Sequence, residues 1–280
     1  MKDMFLEETM RRCTSGRSDR FMLISSERVF YAGLHGKPSV RTLGALAVCV
    51  PLHGTACLEV AGQPPRVGEI LAVPAYLPHK ITSESREILG LLIEPESVSD
   101  DDLAQIIRQC DDPVAAGRLA ARFREIYATM ALSGTSGFTS ADFDQIFLQR
   151  RLKPRDLDTR ISTVVSRFQA KPSSSISGDD CASGVKLSLS RFLHLFKDET
   201  SMNFKTFRAW KRARNILHHV NVERNLAHFA LDAGYPDSTH FSHSLRRIYG
   251  LQPSALFSGS RRLQIINGRD VASDAASMRA

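Results

Sequence analysis

The spacing of hydrophobic residues changes about one third of the way along the chain. Before residue 100, short apolar runs are separated by turn residues, whereas beyond it apolar residues recur every three or four positions. The first pattern is typical of strands and the second of helices. Near-regular strand spacing predicts a sandwich or a small barrel. The predicted strands are residues 21–24, 28–31, 43–50, 56–60, 69–73 and 87–93.

Helices are predicted downstream of the strands, at residues 100–109, 111–130, 140–150 and 158–169. Acidic residues and a proline at 111–113 favour a helix start there. The helix at 111–130 has an apolar stripe, which either packs on the barrel or pairs two subunits. The sequence leaves both readings open. The stripe consists of Leu119, Phe123, Ile126, Tyr127 and Met130.

A helix-turn-helix pattern occurs twice between residues 177 and 257. One copy covers residues 182–196 and the other 230–245, with one residue inserted at the second turn. A duplicated small helical unit is a strong organisational signal. The paired positions are Ala182 and Ala230, Phe192 and Phe241, His194 and His243, Phe196 and Leu245, and Lys197 and Arg246.

Polar caps predict where the helices of each copy begin. Ser177, followed by two aspartates, favours a helix that ends near Gly184. Ser188 and Asp237 are the predicted N-caps of the two second helices. A helix at 204–219 joins the copies, with Trp210 expected at the edge of its apolar face. The predicted core positions of the two second helices are Leu189, Phe192, Leu195, Phe196, Phe241, Leu245, Ile248 and Tyr249.

The faces opposite these core positions carry short polar side chains and cations. Such a face on a capped helix suits the DNA major groove, where side chains read base edges. An ordinary solvated surface would explain one copy, but two copies in register on a basic segment favour DNA binding. The predicted base-reading residues are Ser190, Arg191, Leu193, His194, Ser238, Thr239, Ser242, His243 and Arg247. The predicted phosphate contacts are Lys186, Lys205, Arg208, Lys211, Arg212 and Arg246.

Net charge is divided unevenly along the chain. Residues 1–170 contain 21 Lys and Arg and 21 Asp and Glu, so their net charge is zero. Residues 171–262 contain 14 Lys and Arg against 7 Asp and Glu, which accounts for the whole formal excess of +7. Clustered cations attract nucleic-acid phosphates. We therefore expect the amino-terminal region to have a different kind of partner.

The second copy carries a specific motif over residues 230–254. It contains an alanine, a turn glycine at Gly234, a Ser-x-x-Phe-Ser segment at 238–242 and a closing Gly-x-x-Pro-Ser at 250–254. In these features it resembles the AraC/XylS family of transcription regulators. The resemblance is strong over about the last third of the chain. It implies a DNA-binding domain of two helix-turn-helix units joined by a long helix.

The first copy departs from the family pattern at two positions. Lys186 and Ser201 stand where the family usually has glycine. Because non-glycine residues rarely adopt positive φ, we expect this turn to be strained or differently shaped. Leu189 and Leu193 make the first recognition helix less polar than usual. Leu193 either contacts a thymine methyl group or indicates that this unit positions the protein while the second unit specifies the sequence.

Residues 62–79 are similar to the second half of a cupin, a barrel commonly found in front of this DNA-binding domain. The predicted fold is therefore a two-domain α+β protein. Its small cupin-like β-barrel and following helices occupy residues 20–151, and an all-α DNA-binding domain occupies residues 158–262. The barrel is expected to bind a small effector or to hold a dimer together. The candidate effector-binding residues are Tyr31, His35, His53, Tyr76 and His79.

Metal chemistry in the barrel is an alternative. A cupin enzyme typically needs a His-x-His pair, a carboxylate and a later histidine, but only isolated His35, His53 and His79 are available. Three imidazoles from strands could still converge on a metal. We predict no catalytic residue, metal site or cofactor. The alternatives to a sequence-specific regulator are a cupin-type metal-dependent enzyme with a DNA-binding appendage and an effector-independent architectural DNA binder.

The resemblance implies double-stranded DNA as a partner, a homodimer, and a small effector and RNA polymerase as further partners. The acidic amino terminus and the lack of a long apolar run predict a cytoplasmic chain that contacts no membrane. Its five cysteines are odd in number and lack CxxC spacing, which favours reduced thiols. Beyond Phe257 the hydrophobic period is lost, and we expect a flexible tail.

Overall fold

The structure is a computed structural model that describes residues 20–133, 138–171, 176–220, 226–259 and 263–270. Its amino-terminal part is built from two β-sheets, as the strand pattern predicts. Two of the described strands in this part, Arg66–Gly68 and Lys80–Ser83, were not predicted, because each is short and largely polar. The strands before residue 100 are β1 (Phe21–Ile24), β2 (Arg28–Leu34), β3 (Leu46–Pro51), β4 (Ala56–Glu59), β5 (Arg66–Gly68), β6 (Leu71–Val73), β7 (Lys80–Ser83) and β8 (Glu87–Ile93).

The larger sheet contains a strand from the far end of the chain. Strand β9 (Gln264–Asn267) pairs in parallel with β1, giving the six-stranded order β6-β3-β8-β2-β1-β9. The smaller sheet has the order β5-β4-β7. The expectation of a flexible tail is therefore wrong for residues 263–270. The sequence did not predict this strand, because its only apolar residues are two adjacent isoleucines, which do not show the alternating pattern of a strand.

Three helices cover one face of the larger sheet. They are α1 (Asp100–Asp111), α2 (Pro113–Ser133) and α3 (Ser140–Leu148). Alternate residues of β1 face opposite ways: Phe21 and Leu23 pack with these helices, while Met22 and Ile24 face the core on the other side. The apolar stripe of α2 packs on the helix-covered face, with Phe123 fully buried. The structure thus shows packing against the sheet, and subunit pairing stays a prediction.

The carboxy-terminal part is helical up to residue 259. Helix α4 (Thr159–Ala170) precedes the first helix-turn-helix unit, formed by α5 (Gly178–Gly184) and α6 (Leu189–Thr200). The connecting helix α7 (Phe204–Ile216) is followed by a 3-10 turn, Leu217–His219. The second unit is α8 (Leu226–Asp232) and α9 (Ser238–Tyr249), followed by α10 (Pro253–Gly259). These bounds agree with the predicted helices to within two or three residues.

The two helix-turn-helix units belong to different hydrophobic cores. The first unit packs with α4 and the start of α7 in one cluster, around Phe168, Phe192 and Phe196. The second unit shares a continuous core with the open face of the larger sheet, and this core includes Met22, Phe241 and Trp210. Trp210 is only 1% exposed, so its predicted place at the edge of the apolar face is wrong. It lies against Gly44 of the amino-terminal part, a contact that periodicity within one helix cannot show.

Candidate nucleic-acid interface

The turns of the two units have the same hydrogen-bond pattern. In the first, the amide of Leu187 donates to the carbonyl of Ala182 at 2.9 Å; in the second, Tyr235 donates to Ala230 at 2.9 Å. Each pair is separated by five positions, and the copies are offset by 48 residues. The duplication inferred from the sequence is therefore present in the backbone itself.

The left-handed positions of the two units also correspond. Lys186 and Ser201 have φ of 56° and 59°, and Gly234 and Gly250 have φ of 78° and 69°. The first unit thus keeps the same turns as the second. It places a lysine and a serine at left-handed positions where the second unit has glycine, which adopts positive φ without a steric penalty. The expectation of strain is supported by these positive φ values, whereas a differently shaped turn is not observed.

The predicted caps are present in both units. Ser177 and Asp180 form a reciprocal capping box at the start of α5. The Ser188 side chain accepts a hydrogen bond from the amide of Arg191, and Asp237 accepts from the amides of Thr239 and His240. Both recognition helices therefore begin at defined residues, because the first backbone N–H groups have side-chain acceptors.

The predicted core faces of the recognition helices are mostly buried. Phe192 and Phe196 in α6, and Phe241 and Leu245 in α9, are fully buried. Leu189 is the exception, since it is 37% exposed and lies over Gly178 at the start of α5. It occupies the first turn of α6.

The predicted base-reading side chains lie on the solvent side of α6 and α9. In α6, Ser190, Arg191, Leu193 and His194 are all exposed. In α9, Ser238 and Ser242 are half-buried, and Thr239, His243 and Arg247 are exposed. Ser242 donates its hydroxyl proton to the carbonyl of Ser238 at 2.7 Å. These side chains lie on the outer surface that a major groove would meet, and Arg247 also lines the cavity described below.

His240 belongs to the same surface but was not among the predicted site residues. Its side chain is 67% exposed, one turn before His243 and Ser244 along α9. Its Nδ1 lies 2.8 Å from Oδ2 of Asp237, the N-cap. The sequence signal that could have identified His240 as a site residue is its position three residues after the aspartate N-cap of α9.

Comparison with known proteins agrees with this geometry. Residues 181–259 match the family model described as a helix-turn-helix domain, which spans both units. This domain is an AraC-type helix-turn-helix domain. This part of the chain is therefore a DNA-binding domain of the kind that transcription regulators carry. A search of curated proteins found no match.

Solved structures show a likeness over most of the chain. ToxT from Vibrio cholerae is 12% identical, with 83% of this chain and 98% of ToxT covered and a TM-score of 0.51, which shows a shared two-domain fold. The carboxy-terminal domain of AraT, a response regulator from Geobacillus stearothermophilus, is 16% identical over 36% of this chain and 86% of its own, with a TM-score of 0.35. An AraC-type regulator from Chromobacterium violaceum is 20% identical over 36% and 91%, with a TM-score of 0.34.

The predicted phosphate-binding cations of the AraC-type domain fall into two groups. Lys186, Lys205 and Arg246 are exposed. Arg208 and Arg212 are half-buried, and their guanidinium groups lie over the rings of Phe204 and Tyr235, at 5.7 and 5.2 Å from the centroids. Those two side chains have partners within the domain but keep part of their surface in solvent.

Lys211 is a wrong prediction for a phosphate contact. Its side chain is 3% exposed and forms ion pairs with Glu94 and Glu96, which follow β8. The neighbouring Arg214 also pairs with Glu94 at 3.0 Å. Two of the cations counted in the basic segment are therefore neutralised inside the protein. Charge along a sequence does not distinguish a buried ion pair from an exposed cation.

This buried cluster sets the protonation of its members. Burial opposes ionisation of Glu94, but the charges of Lys211 and Arg214 outweigh it and lower the pKa of Glu94. Burial also disfavours charged Lys211, and the two carboxylates overcome it and raise the lysine pKa. For Glu96, burial dominates and raises the pKa to about 7. The Nε1–H of Trp210 completes the cluster by donating to Glu94 at 3.1 Å.

A cavity of about 490 Å³ lies where the two parts of the chain meet. Thr42, Gly44 and Tyr76 line it from the amino-terminal side. The ends of both recognition helices reach it through Lys197 and Arg247, and part of its lining is apolar. None of the described lining residues is acidic. The remaining lining residues are Ser201, Met202, Asn203, Thr206, Ala209, Trp210 and Ile248.

The five candidate effector residues do not form one site in the structure. Tyr76 lines the cavity, and its hydroxyl lies 3.0 Å from the Met202 sulfur. His35 and His79 each contact a backbone carbonyl, of Ile81 and Leu77, and His79 is 2% exposed. The remaining two candidates lie apart from the cavity lining: Tyr31 is half-buried in β2, and His53 is exposed.

No three His, Cys, Asp or Glu side chains in the described ranges are grouped as ligands for a metal ion. Among the helices that the structure describes, none is long and apolar enough to cross a bilayer.

Proposed function

We propose that this AraC-type regulator reads DNA with both recognition helices and responds to a small molecule held between its two parts. The observation that carries base reading is the pair of capped helices, α6 and α9, with matching turns and exposed polar faces. Recognition helices on one DNA face would enter successive major-groove segments about 34 Å apart. The predicted base-reading residues are the side chains that would reach base edges.

Selection of duplexes from a random library tests base reading. The full-length protein should enrich two short blocks about one helical turn apart, at a stated salt concentration. Enrichment of no sequence, with binding retained, would favour the architectural alternative. Competition with base-swapped duplexes separates these two outcomes, because an architectural binder would be displaced equally by every competitor.

The cavity supports the effector proposal better than the barrel candidates do. An occupant would contact the amino-terminal part, α7 and the ends of both recognition helices at once. Such an occupant can change DNA affinity if it binds the DNA-competent arrangement differently from the free one. The lining offers hydroxyl groups and two cations, without a described carboxylate. We therefore propose an anionic small molecule with an apolar body. One ToxT structure holds an unsaturated fatty acid.

The chain has one tryptophan, Trp210, and it lines the cavity. Energy transfer from Trp210 to 8-anilinonaphthalene-1-sulfonate reports anion binding there, with uncharged N-phenyl-1-naphthylamine as the matched probe. Lys197→Ala and Arg247→Ala should each weaken binding of the sulfonate but not of the amine, and Lys205→Ala should change neither. Equal loss for both probes, or no energy transfer from Trp210, would contradict an anion site at this cavity.

We further propose that the barrel has no catalytic role and that the chain acts as a homodimer. We also propose that the chain is cytoplasmic, because its proposed DNA target is in that compartment. The backbone contacts of His35 and His79 support the first point, since both imidazoles have structural partners. Dimerisation and contact with RNA polymerase rest on the resemblance. Sedimentation of the full-length protein with and without operator DNA tests the dimer, and a single monomeric species in both samples would contradict it.

A further inference from the structure

We infer that His240 reads a base through Nε2 as a hydrogen-bond acceptor, because Asp237 fixes the tautomer of its ring. This inference rests on the proposal that α9 enters the major groove. His240 is then a further specificity-determining residue, with a defined preference among the four bases.

Asp237 uses both carboxylate oxygens. Its Oδ1 accepts hydrogen bonds from the amides of Thr239 and His240, each at 2.8 Å. Its Oδ2 lies 2.8 Å from Nδ1 of His240. The cap therefore holds the start of α9 and the imidazole ring at the same time. The other ring nitrogen, Nε2, has no hydrogen-bond partner among the described residues, and the side chain is 67% exposed.

The chemistry of a carboxylate decides the tautomer. An ionised carboxylate can only accept, so Nδ1 must carry the proton it donates. In a neutral imidazole, Nε2 is then unprotonated and accepts. The backbone and side-chain hydrogen bonds from His240 also lower the pKa of Asp237, which keeps the carboxylate in its accepting form.

An accepting atom discriminates among bases in the major groove. Adenine N6 and cytosine N4 present amino donors there, while guanine N7 and O6 and thymine O4 present acceptors. Neutral His240 therefore favours adenine or cytosine at the base it faces. If guanine or thymine stood at that position, its acceptor atom would face Nε2, also an acceptor, and no proton would lie between the two atoms.

The first unit has the opposite chemistry at the equivalent position. Arg191 corresponds to His240, and its cap is Ser188, which has no carboxylate. Arginine only donates, and its usual partner is guanine. The two blocks of an operator should therefore differ at the matched position, with guanine facing Arg191 and an amino-bearing base facing His240.

The chain offers a matched variant for the test. Asp237→Ser keeps an N-cap of the kind that Ser188 provides and removes the carboxylate that fixes His240. Full-length wild type, Asp237→Ser and His240→Ala are labelled with ¹⁵N-histidine, and the ring nitrogens are measured by NMR at pH 8.5, where imidazole is ordinarily neutral. The missing signals of His240→Ala assign His240. The same proteins are then tested at pH 8.5 against selected duplexes substituted at each position.

We expect His240 to be in the Nδ1–H form in the wild type and largely in the Nε2–H form in Asp237→Ser. At one operator position, the wild type should prefer adenine or cytosine over guanine by about tenfold. His240→Ala should lose this preference and Asp237→Ser should reduce it. An Nε2–H ring in the wild type, or unchanged preferences in His240→Ala, would overturn the inference alone. A wild type that enriches no duplex would contradict the proposed function itself.

Discussion

The two helix-turn-helix units share their turns, the positions of their recognition-helix caps and one buried aromatic position, but they differ in the core that each belongs to. The first unit has its own core with α4, and its left-handed positions are Lys186 and Ser201. The second has glycines at those positions and shares its core with the larger sheet. The helix-turn-helix geometry is therefore duplicated in this chain, but the hydrophobic core that surrounds each unit is not.

The contacts of the second unit explain how it is held to the amino-terminal part. The amide of Thr42 donates to the carbonyl of Arg247 at 2.9 Å, at the end of α9. Strand β9 follows this unit and joins the larger sheet, and Asn267 of β9 contacts Nδ1 of His218 at 2.8 Å. A change in the amino-terminal part is thus transmitted most directly to the second unit. The first unit is expected to move less with it.

Lys211→Met should have the largest effect on this arrangement. It leaves Glu94 and Glu96 buried without their shared cation, at a cost of about 3–5 kcal/mol. Hydrogen exchange of the full-length variant should show lost protection in α8, α9 and β9 and retained protection in α5 and α6. Lys205→Met on the exposed face of α7 is the control, with an expected change within about 0.5 kcal/mol. Equal loss of protection in both units would show that they do not differ in attachment.

Gly44→Ala tests the contact beneath Trp210. A Cβ at this position would clash with the indole of Trp210, so the two parts must shift apart at a cost of about 1–3 kcal/mol. Gly90→Ala in β8 is the matched control, because its Cβ would meet nothing within 4 Å. Denaturant unfolding of both variants measures the difference. A Gly44→Ala protein as stable as Gly90→Ala would mean that the indole does not pack here.

The buried cluster predicts a pH dependence of stability through Glu96. Its pKa is raised to about 7 by burial, so the folded state binds this proton more tightly than the unfolded state. The resulting stability is present below the ordinary glutamate pKa and is lost as pH rises through 7. Unfolding free energy should fall by about 1 kcal/mol or more between pH 5.5 and 8. Glu96→Gln should flatten this slope, and an unchanged slope would exclude Glu96 as its source.

Lys186→Gly should have the smallest effect, and in the opposite direction. Glycine removes the left-handed penalty of about 1–2 kcal/mol but adds about 0.5–1 kcal/mol of backbone entropy cost. The net expectation is a stabilisation of about 0.5 kcal/mol, measured by denaturant unfolding. Gly234→Ala at the equivalent position of the second unit should destabilise. A destabilised Lys186→Gly variant would show that the lysine side chain makes a contact that offsets its strain.

The sequence predicted features that depend on neighbouring residues. Caps such as Ser188 and Asp237 act within one turn, and the duplicated turns follow from residues five positions apart. The sequence did not predict β9 or the burial of Lys211, because their partners lie far away in the chain. Lys211 and Glu94 are separated by 117 positions. His240 was missed for a different reason: its partner Asp237 is only three positions away, but a sequence does not show whether two such side chains are in contact.

The central claim is that both units read DNA bases. Base selection by single-residue variants is the most direct test of this claim. Full-length wild type, Arg191→Ala and His240→Ala would be compared in the same random-library selection at one salt concentration. We predict two enriched blocks in the wild type, and each variant should lose its preference in one block and keep the other. A single block that depends on His240 but not on Arg191 would contradict it, and would mean that the first unit only positions the second.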